Sequence, residues 1–336
     1  MSAFAARVLA WHRAHGRHDL PWQASREPYR LWVAEVMLQQ TQVATAIPYF
    51  ERFVAAFPTV AALAAADRDA VLHAWSGLGY YARARNLHDA AMRIVADHGG
   101  RFPDDFDAVA ALPGIGRSTA GAILASAFDA RHPILDGNCK RVYARHAGID
   151  GWSGTTAVAR TLWAHADAMT PATDARDYTQ AIMDLGATVC TAARPACGVC
   201  PVADDCVART EDRVAELPTP RPRRARPLRA AHLLVVRNAA GEVLLAQRPA
   251  RGVWGGLWCL PWLDPDDARP PAAEQLAPVR HAFTHFELEI TPWALAADAL
   301  DHGAGARRVW ADAGHRATLG LPAPVRRLLD ALESAA

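Results

Sequence analysis

Cys190, Cys197, Cys200 and Cys206 follow one another with six, two and five residues between them. Four thiolates at such intervals can hold a tetrahedral zinc or a [4Fe–4S] cube. Zinc ribbons pair two Cys-x2-Cys knuckles, and only the central pair here has that spacing, so the cube suits the run better. No flavin or nicotinamide fingerprint accompanies it, which favours a structural cluster over an electron carrier. A second chemical signal is Glu35, the only acid between Glu27 and Glu51. On a helix its neighbours are Leu31, Trp32 and Leu38. A carboxyl on so apolar a stretch is expected to titrate high and to donate a proton near neutral pH. The bland alternative is a glutamate at the edge of an amphipathic helix, reaching water. Gln39, Gln40, Thr41 and Gln42 follow at once, amides and a hydroxyl suited to base edges.

The third signal is Leu112–Asn138. Leu-Pro-Gly-Ile-Gly reads as a tight turn in which Gly114 and Gly116 leave amides bare. The helical run Arg117–Phe128 behind it makes a phosphate site at its N-terminus. Asp136 stands alone in Ile-Leu-Asp-Gly-Asn, where it or Asn138 could also simply cap the following helix. Two carboxylates of different character, one apolar and one polar, are what glycosidic cleavage requires. Gly77–Asn86 (GLGYYARARN) adds tyrosines able to stack on bases and two arginines, Arg83 and Arg85, able to hold phosphates. A packed helix start with solvated arginines would read the same way.

These residues need a scaffold, and 336 of them are too many for one small core, so two domains are expected. Up to residue 216 the chain alternates helical runs with Gly/Pro breaks: Phe4–His15, Tyr29–Gln42, Val60–Trp75, Tyr80–Val95. Gly77–Gly79 and Gly114–Gly116 become glycine turns between helices of one all-α domain. Leu217–Arg229 (LPTPRPRRARPLR) carries four prolines, five arginines and no acid, and reads as a linker, either a plain tether or a phosphate-tracking one. Beyond it the period becomes two, in His232–Arg237, Val243–Gln247 and the alternating Phe286, Leu288, Ile290. An amphipathic helix with Val325, Leu328, Leu329 and Leu332 closes an α+β domain over 230–336. Net charge is only +1, so any nucleic-acid binding must come from local patches. No long apolar run or signal-peptide pattern appears, and a cytoplasmic setting is expected.

Taken together, AEVMLQQTQVAT (34–45), GLGYYARARNLH (77–88), LPGIGRSTAGAI (112–123), ILDGN (134–138), the cysteine spacing and VWGGLWCLP (253–261) resemble adenine DNA glycosylases of the MutY family. That family lies within the helix-hairpin-helix, endonuclease III superfamily, and the resemblance runs nearly end to end. It implies a helical catalytic domain (1–216) with a [4Fe–4S] loop, the linker (217–229) and a Nudix-like domain (230–336) that recognises 8-oxoguanine. It further implies that Glu35 protonates adenine at N7 and that Asp136 stabilises, covalently or electrostatically, the cation left at C1′. Asn138 and Ser118 would position water or sugar. Arg17, Trp22 and Gln180 resemble adenine-pocket residues; Gln42 and Tyr80 resemble residues that fill the duplex near 8-oxoguanine, and Leu78 is expected among the substrate-binding residues. Gly114 and Gly116 resemble the phosphate-binding amides.

Ser118 separates two branches of the resemblance. Relatives that also nick the strand carry a lysine there to form an imine; serine cannot, so hydrolysis without strand cleavage is expected. The sole lysine of the chain, Lys140, lies four residues past Asp136 and could act as an incidental trap. The domain after the linker lacks the Glu-rich helix of a Nudix pyrophosphatase, since 262–280 offers only Asp264, Asp266, Asp267 and Glu274. Its lesion-reading loop, usually Phe-Ser-His, is here Phe283-Thr284-His285. The expected partner is double-stranded DNA bearing 8-oxoguanine:A or G:A pairs, bound by a monomer in the bacterial cytosol. The alternatives are an endonuclease III-like glycosylase/lyase, a non-enzymatic iron–sulfur sensor of DNA damage, and a nucleotide pyrophosphatase.

Overall fold

A computed structural model describes residues 1–222, 225–264, 266, 270, 272–297 and 307–334. Asp267 and linker residues 223 and 224 lie outside the described residues. The chain divides into two compact units, Met1–Ala64 with Asp89–Arg223, and Ala65–His88 with Arg224–Ala336.

The first unit is helical. It uses α1 (Ala3–His15), α2 (Pro28–Leu38), α3 (Val43–Ala56) and α4 (Val60–Ala65); α5 (Arg68–Ala74) belongs to the second unit. Then come α6 (Ala82–His98), which begins in the second unit and continues in the first, α7 (Phe106–Ala110) and α8 (Arg117–Phe128). The last are α9 (Gly137–His146), α10 (Thr156–Met169), α11 (Ala175–Asp184) and α12 (Val207–Thr210). The sequence predicts Val60–Trp75 as one helix; it breaks because Asp67 turns extended and caps the amide of Asp69 at 2.7 Å. Tyr29–Gln42 likewise stops at Leu38, and Gln40 adopts φ 58°. The helix predicted from Tyr80 starts at Ala82, because Tyr80 itself is left-handed at φ 49°.

α8 is the axle of this unit. Seven of its residues from Ala120 to Ala127 are buried, and it packs against α2 and α11. Small side chains allow that closeness. A Cβ on Gly121 would stand 3.0 Å from the Pro133 carbonyl and 3.2 Å from the His132 Cβ. Segment 132–135 therefore lies directly on α8, with Ile134 and Leu135 buried. Asp136 comes next. Its position follows from small-residue packing one helix away.

The second unit is a sheet with flanking helices. β1 (Leu228–Arg237), β2 (Val243–Gln247), β3 (Trp258–Cys259) and β4 (Trp262–Leu263) precede β5 (Glu274–Gln275), β6 (Val279–Ala282), β7 (Glu287–Ala296) and β8 (Arg308–Ala311). The sheet runs β3-β2-β1-β7-β5, with β4 on β1, β6 on β7 and β8 on β2. β1 and β7 pair in parallel over their whole length, from Leu228↔Glu287 to Arg237↔Ala296. β1 thus takes its first residues, Leu228 and Arg229, from the stretch that composition reads as linker. α13 (Ala313–Ala317) and the amphipathic α14 (Ala323–Ser334), which buries Pro324, Val325 and Leu329, complete the unit.

The stretch 65–88 is fastened to this sheet by polar contacts. Asp69 accepts from Gln247 Nε2 at 2.8 Å, Trp258 Nε1 at 3.2 Å and Arg307 Nη1 at 3.2 Å. Arg85 donates to the Gly255 carbonyl at 2.6 Å.

Gly121→Val is expected to lower the unfolding free energy by about 1–3 kcal/mol, because overpacking must push 132–134 off α8. Denaturant titration measures it, and an unchanged midpoint would mean that this contact does not hold the segment.

Candidate active site

Within the helical unit a cavity of about 440 Å³ opens between α2, α8, α9 and α11. Ligand sites commonly have this size. Its walls include Arg17, Trp22, Glu35, Ser118, Asp136, Asn138 and Gln180, brought together from positions far apart in the chain. Gln39, Gln40 and Thr41 line it as well, whereas Gln42 is an exposed residue just before α3.

Glu35 sits on α2, whose start is fixed by Pro28 and by the Glu27 carboxylate, which accepts the amides of Tyr29 at 3.1 Å and Arg30 at 2.9 Å. Leu31, Trp32, Val36 and Met37 around it are buried. Burial first, and the nearby Asp136 charge second, push its carboxyl up to about 7. A group that stays protonated near neutral pH is a proton donor in waiting.

Asp136 caps α9. Its Oδ1 accepts the amide of Cys139 at 2.7 Å, so of the two candidate caps it is this one. The helix dipole favours its charge there. The Ser118 hydroxyl accepts the amide of Leu135 at 2.8 Å, pinning the residue before Asp136 to the first turn of α8. Asn138 Oδ1 accepts from Arg141 Nη2 at 2.8 Å. The same guanidinium reaches the carbonyls of Gly186 and of Cys190, the latter at 2.6 Å. Lys140, in the first turn of α9, is half-buried and does not line the cavity.

Arg17 and Gln180 end on one acid that the sequence did not single out. Asp184 is fully buried and accepts from the Arg17 amide at 2.8 Å, from Arg17 Nε at 2.9 Å and from Gln180 Nε2 at 2.8 Å. The α11 spacing of four between Gln180 and Asp184 was a faint signal for it. Arg141 and Arg145 were missed too. Arg145, almost wholly buried, donates to Thr191 O at 2.7 Å, Leu217 O at 2.7 Å and Cys190 Sγ at 3.4 Å.

All six cysteines are free thiols. Cys190, Cys197, Cys200 and Cys206 line one small apolar cavity with Val142, Val189 and Arg145, and burial pushes the Cys200 thiol up to about 11. Among the described residues no three His, Cys, Asp or Glu side chains are gathered closely enough to hold one metal ion. The donor set nevertheless suits a thiolate cluster: four unpaired, half-buried thiols line one cavity, and a guanidinium donates to sulfur.

At the glycine turn, Gly114 adopts φ 77° and Ile115 is buried between the exposed Gly114 and Gly116. No side chain caps α8, so its first amides are left bare.

In the second unit, the Tyr80 hydroxyl lies 3.1 Å from the Thr284 Oγ1. Thr284 and His285 are exposed at the β6–β7 turn, which the Phe283 amide closes on the Phe286 carbonyl at 2.9 Å. Phe283 itself stacks on Phe286 at 4.5 Å and meets His281 edge-on at 4.6 Å, so it is a half-buried anchor. Arg83 is buried, bonds the Gly79 carbonyl at 3.2 Å and lies over the Trp75 and Tyr80 rings, and Arg85 is committed to Gly255. Arg83 thus braces the glycine turn from within, and Arg85 ties this stretch to the segment before β3. Leu78 is largely buried in the same turn.

Comparison with known proteins agrees with this architecture. Residues 33–167 match the HhH-GPD superfamily of base excision DNA repair proteins, and 232–331 match a NUDIX domain. A solved thermostable thymine-DNA glycosylase covers 62% of this chain and 95% of its own, with a TM-score of 0.57 at 25% identity. The class is thus a helix-hairpin-helix base-excision-repair DNA glycosylase followed by a NUDIX domain. The adenine DNA glycosylase of Buchnera aphidicola subsp. Acyrthosiphon pisum (strain APS) is 34% identical over 97% of both chains. That of Mus musculus is 33% identical, covering 89% of this chain and 71% of its own. The chain belongs to the adenine DNA glycosylase family.

Glu35 also leaves a mark on stability. Its carboxyl rises from 4.5 to about 7 on folding, so the folded state binds the extra proton and loses stability as pH climbs through that window. Glu35→Gln should abolish this loss, making the variant more stable than the parent at pH 8 by up to about 3 kcal/mol and little different at pH 4. Denaturation at both pH values checks it; parallel curves would contradict the raised carboxyl.

Proposed function

We propose that this glycosylase hydrolyses the N-glycosidic bond of adenine paired with 8-oxoguanine, and of adenine paired with guanine. The observation that carries the reading is the shared cavity, in which a carboxyl held near pKa 7 stands beside a second carboxylate capping a helix. An adenine extruded from the duplex enters that cavity. Glu35 gives its proton to N7, so the C1′–N9 bond breaks with its electron pair going to a neutral adenine. Asp136 stabilises the cation left at C1′. Water held near Asn138 and Ser118 adds to C1′ and returns its proton to Glu35. No lysine lines the cavity to form an imine, which supports hydrolysis without strand cleavage.

Cys190, Cys197, Cys200 and Cys206 would hold a [4Fe–4S] cluster, which when bound supplies a cross-link that stiffens the 190–206 loop. Arg145 donates to that loop at three positions, Cys190 Sγ and the carbonyls of Thr191 and Ala192. The bare amides of Gly116 and the α8 start suit a DNA phosphate. Tyr80 and Thr284, already hydrogen-bonded to each other, suit contact with the 8-oxoguanine left in the duplex.

Incubation with duplexes carrying A opposite 8-oxoguanine, G, C or T should release free adenine from the first two only, with intact strands before alkali. Glu35→Gln should bind the same duplexes while losing release by about 100-fold or more. Release of oxidised pyrimidines with robust strand nicking that survives Lys140→Ala would instead identify a glycosylase/lyase. Thr284→Ala together with His285→Ala should reduce the preference for 8-oxoguanine:A over G:A; an unchanged preference would remove this loop from lesion reading.

A further inference from the structure

Gln180 and Asp184 lie one turn apart on α11, but only Gln180 lines the cavity. Asp184 is fully buried behind it. Its Oδ1 accepts from Arg17 Nε at 2.9 Å, Arg17 Nη2 at 2.5 Å and Gln180 Nε2 at 2.8 Å. Its Oδ2 accepts the Arg17 amide at 2.8 Å and stands 3.4 Å from His12 Nε2. Burial by itself would raise this carboxyl, yet the hydrogen bonds from His12 and Arg17 hold it below the usual carboxylate range, so it stays ionised. An ionised carboxylate only accepts. The Gln180 amide therefore has one satisfied orientation, with Nε2 on Asp184 and Oε1 turned away from it.

We infer that Asp184 is a positioning residue that fixes the Gln180 amide so that the cavity presents a carbonyl acceptor, and thereby selects 6-aminopurines over 6-oxopurines. The inference deepens the proposed reading of the cavity as an adenine site and rests on it. A 6-amino group donates to Oε1, whereas the 6-oxo group of hypoxanthine sets acceptor against acceptor. Sites built to bond one polar group reject an analogue lacking it far more strongly than apolar pockets reject a methyl group. Arg17 is held by the same carboxylate through its backbone and its side chain. One buried acid thus sets two walls of the pocket without touching the base.

The test is single-turnover release of adenine and of hypoxanthine, each opposite 8-oxoguanine, with affinity for an abasic-analogue duplex measured in parallel. The parent should favour adenine by about 100-fold or more. In Asp184→Asn, with the oxygen kept on the Arg17 amide, the NH2 takes the place of the Oδ1 that in the parent accepts from both the Arg17 guanidinium and Gln180. It can no longer accept from Gln180 Nε2, which lets Gln180 flip and turn a donor to the cavity. The adenine-to-hypoxanthine ratio should then fall by about tenfold or more, with abasic-duplex affinity within about twofold of the parent. If Asp184→Asn lowers both rates by one common factor, its role is structural only and the inference is overturned. Should that variant fail to fold by circular dichroism, Gln180→Leu, a change on the cavity wall, carries the same expectation, and an unchanged ratio overturns it. A parent that releases both bases equally also overturns the inference while leaving the adenine reading intact. A parent that releases no adenine from any duplex removes the reading itself.

Discussion

The helical unit depends on holding one carboxyl, that of Glu35, among buried neighbours while a second, Asp136, stands near enough to raise it further. Two acids placed so closely would repel if both were ionised, and the protein resolves this by giving them unlike surroundings. Glu35 lies on an apolar helix between Trp32 and Met37; Asp136 lies at a helix N-terminus and accepts a backbone amide. Glu35 is thereby held as a proton donor near neutral pH, beside a carboxylate in a polar setting, which is the division of labour that acid-assisted cleavage of a glycosidic bond requires.

Much of the remaining architecture serves that arrangement. The small residues of α8 let segment 132–135 lie on it, Ser118 ties down Leu135, and Asp136 begins α9 at a fixed point. Arg141 then links Asn138 to the carbonyls of Gly186 and Cys190, so the cavity wall and the start of the cysteine loop share one guanidinium. Gly186 contributes by lacking a side chain, since a Cβ there would lie 2.6 Å from that of Asn138. The cysteine loop is in this way packed against the residues that border the cavity, whatever group it carries.

What the sequence revealed, and what it hid, follows from how local each signal is. The apolar run around Glu35, the cap position of Asp136, the glycine turn before α8 and the period-two strands are short-range patterns, and each is visible in a few residues. Asp184 is one acid among many, and its importance comes from Arg17, far away in the chain, which no local pattern reports. The contacts of Arg83 and Arg85 are hidden for the same reason. An arginine beside tyrosines looks like a phosphate ligand, and only the carbonyls of Gly79 and Gly255 disclose that both are used internally. The stretch 65–88 reads as ordinary helical sequence, yet Asp69 binds it to the sheet through Gln247, Trp258 and Arg307.

The central claim is that the protonated Glu35 carboxyl drives base release. It is tested most directly by the pH dependence of the second-order rate constant for adenine release, measured with enzyme below saturation so that the free protein's acid is reported. The account predicts a rate that is level below about pH 7 and falls roughly tenfold per pH unit above it, as Glu35 loses its proton. A rate that holds constant to pH 9, or a falling limb that persists unchanged in Glu35→Gln, would contradict it.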